Sequence, residues 1–114
     1  MIDHKAANSV QMAIWHEYNA GVKRYGAFHS QHEAAAVLLE ETEELHDEAE
    51  AFAETVKLIL PELWQAVKMD DITPMHKRQL EAIRSAALAV AYECVQVAAM
   101  CDKWGLLIES EAKP

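Results

Sequence analysis

Hydrophobic positions recur with a helical period along most of this chain. Val10, Ile14, Tyr18 and Val22 return every four residues and predict a first helix over about 7–23, capped at Asp3 or Asn8. Gly21 and Gly26 then loosen the chain around Tyr25 and Phe28. A long second helix is expected from Ser30, an N-cap with Glu33 as its capping-box partner, to about Leu60. Pro61 ends or kinks that helix, or opens a short third one over 62–69. Asp70-Asp71-Ile72-Thr73-Pro74 is the clearest loop, and a fourth helix is expected over about 75–104, stopped by Gly105. No internal repeat, low-complexity tract or glycine-rich phosphate loop appears. The fold class is therefore all-α, an antiparallel bundle of about four helices in one domain.

Two places break the apolar pattern. Between Glu40 and Glu54 stand eight acidic residues and no basic one. At about 100° per position, Leu38, Leu45, Ala49, Phe52, Val56 and Ile59 form an apolar stripe. Glu43, Asp47, Glu50 and Glu54 fall opposite it, on the expected solvent face. Glu41 and Glu48 fall within or beside the stripe, and Glu44 flanks it. The fourth helix repeats the anomaly: from Ser85 to Cys101 the only charged residue is Glu93, with Gln96 one turn on. A helix apolar nearly all round is a buried one. Carboxylates on core-facing arcs cost several kcal/mol unless compensated. Two explanations fit. Glu93 can be a structural residue paired with Arg84, Lys103 or a tyrosine. Alternatively it meets Glu41 and Glu44 across a helix interface around a divalent cation, for which all-oxygen ligands suit Mg²⁺ or Mn²⁺.

Composition narrows the partners. Ten basic against nineteen acidic residues give a formal charge of −9, the wrong sign for clamping a nucleic-acid backbone. An acidic protein that handles phosphates needs a metal cation as intermediary. Asp3, His4 and Lys5 interrupt any apolar run at the start, so no signal peptide is expected. The weakly charged stretch from Ser85 to Cys101 falls short of the roughly 20 residues of a membrane span. Cys94 and Cys101, two helical turns apart, are expected to be small buried thiols, out of disulfide reach, in a reducing cytoplasm.

Glu40-Glu41-Thr42-Glu43-Glu44-Leu45 resembles the EExxEL signature of the MazG-like all-α nucleoside triphosphate pyrophosphohydrolases. Phe28-His29-Ser30, thirteen residues before Glu41, is similar to the FHS segment of some members. Glu93-Cys94-Val95-Gln96 resembles the second motif, ExxD, with glutamine where the family has aspartate. The two motifs stand further apart than is common, which implies an insertion around 61–77. Trp64, Met69 and Ile72 within it would widen a subunit interface or cover the pocket.

The resemblance implies Mg²⁺-dependent hydrolysis of (deoxy)nucleoside triphosphates to the monophosphate and pyrophosphate, a house-cleaning role in the nucleotide pool. It implies Glu41, Glu44, Glu93 and Gln96 as metal ligands, with Mn²⁺ a possible substitute. Glu40, with Glu41, would serve catalysis by orienting or deprotonating the attacking water. Tyr25 and His29 would contact the base, a cytosine-type base being the first expectation, with His32 and Lys103 towards the phosphates. On the bland reading Tyr25 and Phe28 simply anchor the first helix, and His32 and Lys103 are surface residues. So small a chain cannot bury both long helices, so a homo-oligomer is expected, at least a dimer and more specifically a dimer-of-dimers tetramer. No nucleic-acid or membrane partner is expected.

Rival readings fare less well. His46-Asp47 is the dipeptide of HD-type phosphohydrolases but points to the solvent side, and Glu43 to His46 offers only one of the Glu-x-x-His pairs of a di-iron bundle. The serious alternative is a catalytically inactive helical oligomer that binds nucleotides or a protein partner, with Gln96 marking the loss of activity.

Overall fold

A computed structural model describes residues 1–113, which are helical almost throughout and contain no strand. Three α-helices, α1 (His4–Tyr25), α2 (Gln31–Lys68) and α3 (Lys77–Ala112), are joined by two short connections, the second carrying a single 3₁₀ turn at Pro74–His76. The fold class is all-α, with three long helices in place of four.

Local chemistry explains most of the boundaries. The Asp3 carboxylate accepts from the Lys5 backbone N–H at 3.0 Å and starts α1. Gly26 ends it at φ +74°, a left-handed conformation that glycine adopts without a Cβ penalty. Ser30 Oγ caps α2 by accepting from Glu33 N at 3.1 Å. The Glu33 carboxylate does not close the capping box. It lies 3.2 Å from His29 Nδ1 instead. After α2, Asp71 N donates to Ala66 O and Asp70 N to Val67 O, a Schellman arrangement with Asp70 at φ +52° in the position usually held by glycine.

α2 takes the continuous course among those open at Pro61, and α3 passes the stop expected at Gly105; tertiary contacts explain both. α2 runs through Pro61, which forfeits one backbone hydrogen bond. Just beyond it Leu63 is buried, and Gln79 donates to the Glu62 carboxylate at 3.0 Å, tying this stretch to α3. α3 runs through Gly105 because Trp104 and Leu107 on either side pack into the core. Trp104 Nε1 also donates to Gln31 Oε1 at 2.6 Å, while Gln31 Nε2 donates to Glu111 at 2.7 Å. A Cβ built on Gly105 meets nothing within 4 Å. Gly105→Ala is therefore expected to stabilise the protein by about 0.5–1 kcal/mol, read as a raised midpoint in urea unfolding.

These bonds also set the topology. Gln31 lies opposite Glu111, and Glu62 opposite Gln79, so α2 and α3 are antiparallel over their whole length. α1 lies antiparallel on the C-terminal half of α3, with Trp15 near Gly105 and Ala20 near Gln96. The core sits where the three helices meet, with Phe28, Ala34, Ala99, Met100 and Leu107 buried and Ile14, Tyr18, Val37, Leu38 and Trp104 packed around them. Beyond the reach of α1, the rest of α2 and α3 continues as a bare two-helix hairpin in a body 69 Å long.

The hairpin changes two expectations. α3 is not a buried helix in the single chain: Leu80, Leu88, Tyr92, Leu106 and Ile108 are exposed, because two neighbours cover only part of its circumference. For the same reason Cys94 and Cys101 are exposed rather than buried, though both are free thiols. By length and composition alone, the helix over Pro74–Ala112 is apolar enough to cross a membrane, and little of its apolar stretch is covered within the chain. On α2, Leu38, Leu45, Phe52, Val56 and Ile59 are half-buried as the stripe predicts, whereas Ala49 is exposed.

Candidate metal centre and cavity

α2 and α3 bring three carboxylates together. Glu41 and Glu44, one turn apart on α2, meet Glu93 of α3, with one oxygen of each within 4.8 Å of the others. Glu41 and Glu93 are half-buried and Glu44 is exposed. The Oε2 atom of Glu93 is buried without a hydrogen-bond partner. Neither Arg84, Lys103 nor any tyrosine reaches it, so the structural pairing open in the sequence is not formed.

Electrostatics at this cluster are unfavourable without a cation. Two unit charges at 4.8 Å repel by about 3 kcal/mol at an effective dielectric near 20, and less where Glu44 faces water. Burial first, and then the charges of Glu44, Glu93, Glu40 and Glu17, push the Glu41 carboxyl above its ordinary value. Glu93 is raised by burial, by the charges of Glu44 and Glu48, and by a hydrogen bond to Glu44 open only to the protonated acid. An oxygen-rich cluster with an orphaned buried atom fits a hard divalent cation. Three acids alone leave room in an octahedral shell for water and substrate oxygens.

Glu41 also lines a cavity of about 310 Å³ beside the cluster, at the small end of the range for ligand pockets. All three helices build it: Glu17, Gly21 and Tyr25 from α1, Glu33 and Val37 from α2, Gln96, Met100 and Lys103 from α3, with Phe28 from the connecting loop. Gln96, one turn after Glu93, is half-buried and lines this cavity.

Lys103 departs from its expected surface position. It is only 6% exposed, and its Nζ lies 4.3 Å from the centroid of the Phe28 ring. Glu17 and Glu33 were not anticipated at the site. Both sit at three- or four-residue spacing from packed neighbours, Glu17 from Ile14 and Glu33 from Val37.

Other candidates stand apart. Tyr25 lines the cavity although most of its ring is exposed. Glu40 is exposed beside Glu41, His29 is exposed and engaged with Glu33, and His32 is exposed; none of the three lines the cavity. Trp64, Met69 and Ile72 are exposed towards the far end of the hairpin and do not cover the cavity within the chain. His46, Asp47 and Glu50 form a second acidic group, wholly on the surface.

No family model, curated protein or solved structure matches this chain. The functional reading therefore rests on the residues and their geometry.

Proposed function

We propose that this protein is a Mg²⁺-dependent nucleoside triphosphate pyrophosphohydrolase. The observation that carries the reading is the convergence of Glu41, Glu44 and Glu93, with an unpartnered buried oxygen, at the edge of a cavity that holds a buried lysine. The resemblance of these same residues to the EExxE and ExxD motifs supports it.

Glu41, Glu44 and Glu93 would hold the cation, with Mn²⁺ an acceptable substitute, and the Gln96 side-chain carbonyl is the available neutral donor. When bound, the cation would offset the triphosphate's charge and polarise the α-phosphorus. The remaining work falls to the chain. Lys103 presents its ammonium to phosphate oxygens inside the cavity. Tyr25 offers a ring face for stacking on the base. Glu40, next to Glu41 and open to solvent, would orient and deprotonate a water drawn from outside. His29 and His32 would contact substrate only where it extends beyond the cavity mouth.

A homo-oligomer, a dimer or a dimer of dimers, would cover the bare hairpin in this reading. The deciding experiment is pyrophosphate release from a panel of canonical and modified nucleoside triphosphates, with and without Mg²⁺. Mg²⁺-dependent release with formation of the monophosphate is expected. A folded oligomer that releases none with any divalent metal would leave the second reading, a nucleotide- or protein-binding oligomer, which Gln96 in place of an acid favours.

Gln96→Asp supplies the missing carboxylate. It is expected to lower the Mg²⁺ concentration for half-maximal activity by roughly ten-fold, about 1.4 kcal/mol of binding. It should also lower the thermal midpoint of the metal-free protein, because a further like charge joins the cluster.

A further inference from the structure

Lys103 poses a problem that the acidic cluster does not. It is a nearly buried cation in a cavity that also presents Glu17, Glu33 and Glu41, yet it makes no ion pair with any carboxylate among the described residues. Its one close partner is aromatic: the ammonium lies over the face of Phe28, itself 4% exposed. A ring face attracts a cation through its quadrupole and satisfies it in part, without cancelling its charge. The other sides of the ammonium remain available to a ligand in the cavity.

We infer that Phe28 is a positioning residue for substrate phosphate, its ring holding the Lys103 ammonium away from the neighbouring carboxylates and ready for an anion. The local chain supports this. Gly26, in its left-handed conformation, turns the connection at the end of α1, and Ser30 starts α2 four residues later, so Phe28 is carried inward between two fixed points. A lysine captured by Glu33 or Glu41 would meet a phosphate only by breaking an ion pair. A lysine resting on a ring exchanges nothing that an incoming phosphate cannot share, since the ring and the anion approach from different sides.

The inference rests on the pyrophosphohydrolase reading for the identity of the anion, but its test needs no hydrolysis. Phenylalanine at position 28 is replaced site-specifically by 4-fluoro-, 3,5-difluoro- and 3,4,5-trifluorophenylalanine, which withdraw charge from the ring face while nearly keeping its shape. Binding of inorganic tripolyphosphate in the presence of Mg²⁺ is measured by calorimetry, alongside the thermal midpoint. Affinity is expected to weaken stepwise with each fluorine, by roughly five- to thirty-fold across the series, with little change in the midpoint. Lys103→Gln should weaken binding and abolish the gradient. A flat series, a series in which binding tightens, or no tripolyphosphate binding at all would overturn the inference. Failure of the hydrolase reading looks different: tripolyphosphate binding keeps its gradient, but no nucleoside triphosphate is cleaved.

Discussion

Glu93→Gln should abolish pyrophosphate release while leaving the protein folded. Removing a residue that merely orients a metal ligand costs 10- to 100-fold in many enzymes, so replacing a ligand itself is expected to cost more than about 100-fold. Glu41→Gln should behave alike, because Glu41 belongs to both the acidic cluster and the cavity. The informative part is stability. Glutamine has nearly the shape of glutamate but no charge, and each substitution relieves repulsion among three close acids. The metal-free thermal midpoint of either variant should therefore equal or exceed that of the wild type. A midpoint that falls sharply, together with Mg²⁺-independent behaviour of the wild type, would mark Glu93 as a structural residue and sink the metal centre.

Proton linkage sharpens the same test. The carboxyls of Glu41 and Glu93 have an ordinary value of 4.5 and are raised above it in the folded chain. Between those two values the folded protein holds more protons than the unfolded one, so these groups make stability fall as pH rises. Below 4.5 both states are protonated and the penalty vanishes. The metal-free protein should therefore lose stability from this cluster as pH climbs above 4.5 and through the folded-state values. Glu93→Gln should flatten that slope. Added Mg²⁺ binds the ionised cluster, so its stabilising effect should grow with pH over the same window. Thermal melts at several pH values, with EDTA or with Mg²⁺, check all three statements.

Much of the acidic site was legible from periodicity alone. The rotation of 100° per residue separated Glu41 and Glu48, which are half-buried, from Glu43, Asp47, Glu50 and Glu54, which are exposed. It worked because α2 is long, regular and packed along one side on α3. Glu93 stood out because it is the one charge in a long apolar run. Lys103 was harder, since its burial depends on Phe28 folding in from a loop far earlier in the chain. A signal existed: Ala99, Lys103 and Leu107 share one face of α3 at four-residue spacing, and Lys103 is the polar member of that stripe. The helices continue past Pro61, where the sequence leaves the course open, and past Gly105, where it predicts a stop, for a common reason. Both residues weaken a helix locally, and in both places packing and side-chain bonds between α2 and α3 outweigh that loss.

A chain mass of 12.8 kDa should not be the mass seen in solution. Fifty-two per cent of the residues are hydrophobic, yet the buried core of the single chain comprises few side chains, and the hairpin beyond α1 exposes Leu58, Leu60, Trp64, Val67 and Leu80. A second apolar surface, a groove of about 530 Å³ lined chiefly by Met12, Ile14, Trp15 and Tyr18, lies on the side of α1. Exposed apolar area on this scale marks association surfaces. Sedimentation equilibrium is expected to return two or four times the chain mass. Trp64→Glu, which puts a charge among the exposed apolar side chains near the far end of the hairpin, should weaken assembly by about 2–4 kcal/mol, or roughly 30- to 1,000-fold in dissociation constant. Met12→Glu separates the two assemblies. If the α1 groove joins dimers into a tetramer, this variant stops at the dimer and keeps its metal centre. A wild-type protein that sediments as a stable, folded monomer would show instead that two bare helices suffice to hold Glu93 against Glu41 and Glu44.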